Sequence, residues 1–259
     1  MPMANSSALA FERNLDALRD ACPPLPVLGA FSHVRSVIVD LDGTMVDTLG
    51  DFEEALNRML AELRLPAADR TLVERSVGKG SEHLVRKVLE HQLALPEVLT
   101  MGAPTQALPR EALHGHALER YQHHYLFVNG QYSAVYPGVV EGLDRLQSKG
   151  LALACLTNKP LAFARSLLAL KGLDRFFPLV FGGDSFERKK PDPLPLLKTC
   201  EALGSMPMQT LMVGDSQNDA QVARAVGCPV VLVTYGYNHG EPVRGVDADG
   251  FVDSMAMLG

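Results

Sequence analysis

Short, continuous apolar runs alternate along most of the chain with longer stretches in which apolar residues recur every three or four positions. The first run, residues 34–41, ends in polar residues. Four later runs resemble it: "LALACLTN" at 151–158, "LVFGGD" at 179–184, "TLMVGDS" at 210–216 and "PVVLVTYG" at 229–236. Runs of this length, bounded by turn residues, predict buried strands. Helical spacing fills the intervals: "PGVVEGLDRLQSKG" (137–150), "PLAFARSLLALKG" (160–172), "DPLPLLKTCEALG" (192–204) and "NDAQVARAVG" (218–227). Alternating strands and helices imply right-handed crossovers and a parallel sheet with helices on both faces. The expected class is α/β, a Rossmann-like parallel-sheet core. Too few strand–helix pairs are visible for a barrel.

Residues 49–131 break the alternation. Only helical patterns and turns occur there: "DFEEALNRMLAELRL", "ADRTLVERSV", "SEHLVRKVLEHQL" and "PREALHGHALERYQHHYLF". This predicts an α-helical insertion after the first strand, placed over the strand ends as a lid. The domain reading is a core of residues 34–48 and 132–259, a helical domain of 49–131, and an N-terminal extension of 1–33. That extension contains an amphipathic pattern, "LAFERNLDALRDA", stopped by "CPPLP". It could pack on the core, mediate assembly or be dispensable. "GVDADGFVDSMAML" adds a short terminal element.

Hydrophobic residues make up 47% of the chain and charged residues 21%, enough for a sizeable core and against disorder. A net charge of −6 leaves no basic footprint for nucleic acid or acidic lipid. It does not exclude a small anionic substrate, because a local site can be cationic inside an acidic protein. Cys22, Cys155, Cys200 and Cys228 are far apart, without CxxC or zinc-type spacing. Buried thiols in a reducing compartment are expected. The first 33 residues lack a basic segment leading into a long apolar one, and no stretch is long enough to span a bilayer. The expectation is therefore a cytoplasmic protein, with monomer and homodimer both open.

The polar residues of interest lie where strands stop, which in an open α/β sheet is the edge where sites form. Asp40 and Asp42 are one residue apart at the first such end. One carboxylate could attack phosphorus or bind a metal while the other handles protons. Gly43 permits an unusual backbone angle or a close approach, and Thr44 offers a hydroxyl and an N–H to a phosphoryl oxygen. Taken alone, the DxDGT string reads equally as an acidic turn. Asp215 ends a later strand and is placed to share a metal with Asp40. Asp219 falls in the following helix's first turn, where a carboxylate also suits the helix dipole. Three carboxylates around one small space suit Mg²⁺. Lys190, in "ERKKPDPLP", supplies the cation that such a site and a phosphate require. Arg188 and Lys189 read as a solvated basic run. Thr157 and Asn158 can donate a hydroxyl and an amide to phosphoryl oxygens, or simply cap the helix that follows Pro160. No GxxxxGK[ST] or GxGxxG cradle is present, and His114, His116, His123 and His124 lack a metal-binding spacing.

The blocks "DLDGT" (40–44), "TN" (157–158), "KP" (190–191) and "GDSQND" (214–219), in that order, resemble the haloacid dehalogenase superfamily of phosphatases. The resemblance covers nearly the whole chain after residue 33. It implies Asp40 as nucleophile, Asp42 as general acid/base, and Thr157, Lys190 and Asp215 in the supporting motifs. Mg²⁺ would be held by the Asp40 side chain, the Asp42 backbone carbonyl and Asp215, with Asp219 orienting Lys190 or metal-bound water. The helical insertion resembles the cap of one subgroup. "VGKG" (77–80), "YPGV" (136–139), "LTNKP" (156–160) and the stretch 214–242 resemble the members that hydrolyse 2-phosphoglycolate to glycolate and phosphate. In that case Gly78 and Gly80 bring backbone N–H groups to the second carboxylate, and Lys79 supplies charge or sits in a plain cap turn. Sugar-phosphate or nucleotide phosphatases and phosphomutases share every core residue named. A phosphonoacetaldehyde hydrolase would need a Schiff-base lysine such as Lys79 or Lys87. A non-enzymatic phospho-accepting switch also uses an acid cluster and a lysine.

Overall fold

Val37, Ile38 and Val39 are completely buried, because the strand they occupy lies at the centre of a sheet covered on both sides. The computed structural model describes residues 29, 31–101 and 109–258. The strands are β1 (Ser36–Val39), β2 (Val46–Asp47), β3 (Ala134–Val135), β4 (Ala152–Leu156), β5 (Leu179–Phe181), β6 (Thr210–Gly214), β7 (Val230–Val233) and β8 (Gly250–Val252). Six of them form one sheet in the order β5-β4-β1-β6-β7-β8, every neighbour pair parallel. The chain runs outward from β1 to β4 and β5, then returns past β1 to build β6, β7 and β8. Connections therefore diverge from the carboxyl end of β1, the switch point where a crevice opens.

Alternation along β1 divides the core. Val37 and Val39 pack into one cluster with Val139, Leu143, Leu146, Leu167 and Leu168, whereas Ile38 joins Leu196, Cys200, Val222 and Ala223 on the opposite face. Burying each such side chain is worth roughly 1.5–3 kcal/mol, and the hydroxyls that open β1 and β6, Ser36 and Thr210, are buried while bonding each other at 2.9 Å. The predicted helices between strands appear as Val139–Ser148, Leu161–Leu170, Pro193–Leu203 and Gln217–Val226. Asp192 caps the third, accepting from Leu194 N at 2.9 Å, with Pro193 at its first position. The terminal element is β8 followed by a 3₁₀ turn at Met255–Leu258.

Residues 49–101 and 110–128 supply only helices: α1 (Leu49–Glu62), α2 (Arg70–Ser76), α3 (Ser81–Leu93), α4 (Pro96–Met101) and α5 (Arg110–Val128). They enclose a hydrophobic cluster of their own, in which Phe52, Leu56, Met59, Val85, Val88, Tyr121 and Tyr125 meet. The chain enters and leaves this helical layer through the two-residue antiparallel ribbon β2–β3, which no hydrophobic pattern announced. Asp51 fastens the crossing. It is completely buried one turn into α1, and its carboxylate accepts from Gly130 N at 2.8 Å and Tyr132 N at 2.7 Å. Gly50 lies against Tyr132, where a Cβ would strike the Tyr132 carbonyl.

The amphipathic pattern of residues 1–33 and Cys22 lie outside the described residues, apart from the short stretch that leads into β1. Cys155, Cys200 and Cys228 are buried and free. Among the described residues no helix is long and apolar enough to cross a membrane.

Asp51→Ala leaves two N–H groups without their acceptor and should lower the urea-unfolding free energy by about 3 kcal/mol. A change below about 0.5 kcal/mol would mean that water replaces the carboxylate at no cost.

Candidate active site

The carboxyl ends of β1, β4 and β6 gather the sequence-distant polar residues into one place. β1 is prolonged by Asp40 N, which donates to Val213 O at 2.9 Å. The chain then turns sharply. Gly43 has φ +82° and lies against Asp215, whose carboxylate would collide with any Cβ there. Thr44 is completely buried, and its hydroxyl donates to Asp215 Oδ1 at 3.3 Å. The other Asp215 oxygen accepts from Tyr237 N at 2.8 Å. Asp219 belongs to a capping box at the start of Gln217–Val226, its Oδ2 accepting from Ser216 N at 3.2 Å and Ser216 Oγ at 2.8 Å.

Lys190 is the cation of the cluster and is only 4% exposed. It donates to Leu156 O at 2.9 Å and Asp219 Oδ1 at 2.7 Å. It also stands 2.9 Å from Asp40 Oδ1, close enough to pair charges but off the line of a hydrogen bond. That buried Asp40 oxygen therefore keeps an unmet acceptor. Lys189 and Arg188, its neighbours, are exposed, as a solvated basic run should be.

Thr157 is buried, and its Oγ1 accepts from Lys159 N at 3.2 Å. Asn158 is engaged differently from the sequence expectation. Its amide donates to Gly78 O at 3.0 Å and Lys190 O at 2.9 Å, and its Oδ1 accepts from Lys190 N at 3.0 Å. The side chain thus braces Lys190 and the helical layer's 77–80 loop instead of offering a free donor to a phosphoryl oxygen. Asn218 adds a second bond to Gly78 O at 3.1 Å. Gly78 and Gly80 line the cleft with φ +105° and +87°. Lys79, between them, is exposed and is not among the lining residues.

Two residues escaped the sequence reading. Lys159 is 5% exposed and places Nζ 2.6 Å from Asp42 Oδ1, which also accepts from Thr48 Oγ1 at 2.8 Å. It stood inside the block "LTNKP" but was not singled out there as a site residue. Tyr237 joins the acid cluster to the lid connection. Its hydroxyl donates to Asp47 Oδ1 at 2.7 Å and accepts from Thr48 N at 2.7 Å and Leu49 N at 3.1 Å. Asp47 thereby has a local role at the start of α1, distinct from Asp40 and Asp42.

Charge in the cluster is out of balance. Burial, augmented by Asp219 and Asp42 and opposed by Lys190, pushes the Asp40 carboxyl up to about 7. Burial together with Asp219 and Asp40 raises Asp215 well above the carboxylate range. Burial disfavours charge on Lys190, yet Asp219 and Asp40 outweigh it and keep the ammonium protonated. One lysine does not neutralise three acids. Asp40, Asp215 and Asp219 bring carboxylate oxygens within 4.8 Å of one another, a spacing able to hold a metal ion. Asp219 is committed to Lys190 and Ser216, so Asp40, with its unmet oxygen, and Asp215 are the natural ligands. The four clustered histidines do not compete. His114 meets Glu82 O at 3.2 Å and His124 meets Glu62 at 2.9 Å.

Comparison with known proteins identifies what the chain as a whole resembles. The model of the haloacid dehalogenase-like hydrolase family matches residues 37–233. The phosphoglycolate phosphatase of Thiobacillus denitrificans is 40% identical over 233 residues, covering 90% of this chain and 94% of that protein. The phosphoglycolate phosphatase of Escherichia coli is 38% identical over 220 residues, covering 83% and 87%. A crystal structure described as a predicted phosphoglycolate phosphatase from Haemophilus somnus superposes with a TM-score of 0.79 at 32% identity, covering 86% of this chain and 96% of that one.

The raised carboxyls have a consequence for stability when divalent cations are removed. A carboxyl whose pKa is higher in the fold than in the unfolded chain binds more protons when folded, so stability falls as pH rises between the two values. With chelator present, the unfolding free energy should decline from about pH 4 to about pH 7, the Asp40 window, by up to ~1.4 kcal/mol per pH unit, and the melting temperature should fall with it. Divalent cation should flatten the slope. A chelated protein equally stable across that range would contradict the charge imbalance.

Proposed function

The chain belongs to the haloacid dehalogenase-like hydrolase family, and from that footing we propose that it hydrolyses 2-phosphoglycolate to glycolate and phosphate through a phosphoryl-aspartate on Asp40, with Mg²⁺ as cofactor. The observation that carries this reading is the meeting of Asp40, Asp42, Lys190 and Asp215 under a helical layer, in a chain about 40% identical to proteins of that name. In this reading residues 34–48 and 132–259 are the catalytic core and 49–131 the lid, joined to the N-terminal extension 1–33.

Mg²⁺ would be held by the Asp40 and Asp215 side chains and the Asp42 carbonyl, where it supplies positive charge to the phosphoryl oxygens. Lys190 neutralises Asp40, so that a carboxylate can approach an anionic phosphate. Asp40 attacks phosphorus in line, forming the acyl phosphate as the ester P–O bond breaks. Asp42 gives its proton to the departing glycolate oxygen. It then takes a proton from the water that attacks the phospho-Asp40, releasing phosphate and restoring both carboxyls. Thr157 and the Gly43–Thr44 backbone hold the phosphoryl oxygens. Gly78 and Gly80 close the cleft over the remainder of the substrate and exclude bulk water. Asp219 positions Lys190. The substrate is small and anionic, and a cytoplasmic setting suits three buried, free cysteines.

A Mg²⁺-dependent panel of 2-phosphoglycolate, sugar phosphates and nucleoside monophosphates tests the assignment. A kcat/KM for 2-phosphoglycolate at least ~10-fold above the others is expected, and a flat panel would remove the substrate. Asp40→Asn should lose turnover by three orders of magnitude or more at saturating Mg²⁺, and near-wild-type hydrolysis would overturn the nucleophile. Asp42→Asn should still bind substrate while kcat drops roughly 10²–10⁴-fold. An unchanged steady-state rate would refute its proton role.

A further inference from the structure

One ammonium in the cleft has no part in the chemistry just described. Lys159 Nζ is enclosed by the Asp42 carboxylate at 2.6 Å and by the faces of Phe52 and Tyr125, at 4.4 and 5.0 Å from the ring centroids. Both rings come from the helical layer, so the box around the ammonium exists only when that layer lies against the sheet. The position is costly unless charge meets it. A lysine is seldom 5% exposed without a partner, and Asp42 engages one of its three N–H donors.

Lys159 lines the same cleft as Asp40, Asp42, Gly78 and Gly80, and among the described residues lining it Lys159 is the sole lysine or arginine. Lys190 is committed to Leu156, Asp219 and Asp40. Lys79 is exposed and lies outside the lining. Asp40 and Lys159 line one cleft covered by the helical layer, so a phosphoryl group on Asp40 would leave the rest of its substrate within reach of that cleft's lining. The first turn of the 13-residue helix α3 opens onto the same space through Gly80 and Ser81, and unpaired N–H groups at a helix start favour negative charge. Of the other walls, Phe52, Val77 and Leu84 are apolar.

We propose that Lys159, boxed by Phe52 and Tyr125, is the residue that selects substrates by binding the second anionic group of a short phosphorylated carboxylic acid, making the Lys79 loop a wall and not the charge reader. This inference rests on the phosphomonoesterase reading of the site and deepens it. Because Lys159 also touches Asp42, its removal will disturb turnover of every substrate. The diagnostic quantity is therefore the selectivity between a substrate with the carboxylate and one without it.

The experiment measures kcat/KM for 2-phosphoglycolate and ethyl phosphate in the wild type, Lys159→Met and Lys159→Gln, with Lys79→Met alongside. The wild type should prefer 2-phosphoglycolate. In both Lys159 variants the ratio should collapse roughly 30- to 300-fold, carried by KM for 2-phosphoglycolate, while Lys79→Met should keep it within about 3-fold. The Gln variant retains polarity if Met does not fold. A Lys159 variant that loses both activities in equal proportion and keeps the ratio overturns the inference but leaves the proposed function standing. Collapse of the ratio in Lys79→Met instead overturns it in favour of the loop lysine. A wild type with no preference between the two esters overturns the substrate reading and the inference together.

Discussion

Everything at the carboxyl edge of the sheet depends on one buried ammonium held between two carboxylates. Lys190 has lost its water and retains its charge because Asp219 and Asp40 lie 2.7 and 2.9 Å away. Removing one member of such a group leaves a buried charge uncompensated, which is far more damaging than exchanging all of it for apolar residues. The arrangement is thus poor as a device for stability and understandable as one for chemistry. It keeps Asp40 next to positive charge without satisfying both of its oxygens, leaving one for whatever binds.

The second dependence is between the helical layer and the sheet. Three separate polar attachments join them. Asn158 and Asn218 hold the Gly78 carbonyl, Tyr237 holds the start of α1, and Asp51 ties α1 to the returning chain. The first two have their other end in the acid cluster or immediately beside it. Asn158 also grips Lys190, and Tyr237 N bonds Asp215. The position of the 77–80 loop is therefore coupled to the same residues that set the charge of the site. Phe52 and Tyr125 extend this coupling to Lys159, whose surroundings come half from the sheet and half from the helices.

Much of the fold was legible because burial repeats along a strand. β4 and β7 are apolar throughout, and β1 and β6 are apolar after a first hydroxyl residue, since both faces of the sheet are covered, and their polar ends were plain for the same reason. Asp40, Asp42, Thr157, Lys190, Asp215 and Asp219 could be picked out by strand ends and by block order. The two-residue ribbon β2–β3 left no periodic signal because two residues are too short to show one. Asp51 gave no sign of its role in the sequence, since its partners, Gly130 and Tyr132, are about eighty residues away. Asn158 was recognised as a site residue, yet its amide is engaged by backbone from two other loops.

By itself, the sequence determined the α/β alternation, the helical interruption, and which acids and which lysine stand where strands stop. Hydrophobic periodicity and local turn chemistry are written into contiguous residues. Tertiary structure decided the division of labour among the charged groups: Asp219 spent on Lys190, Asp215 braced by Tyr237, Lys159 and not Lys79 turned into the cleft. Those outcomes depend on which side chains lose their water together. Desolvation and pairing are properties of the packed site, and residues that meet there come from opposite ends of the chain.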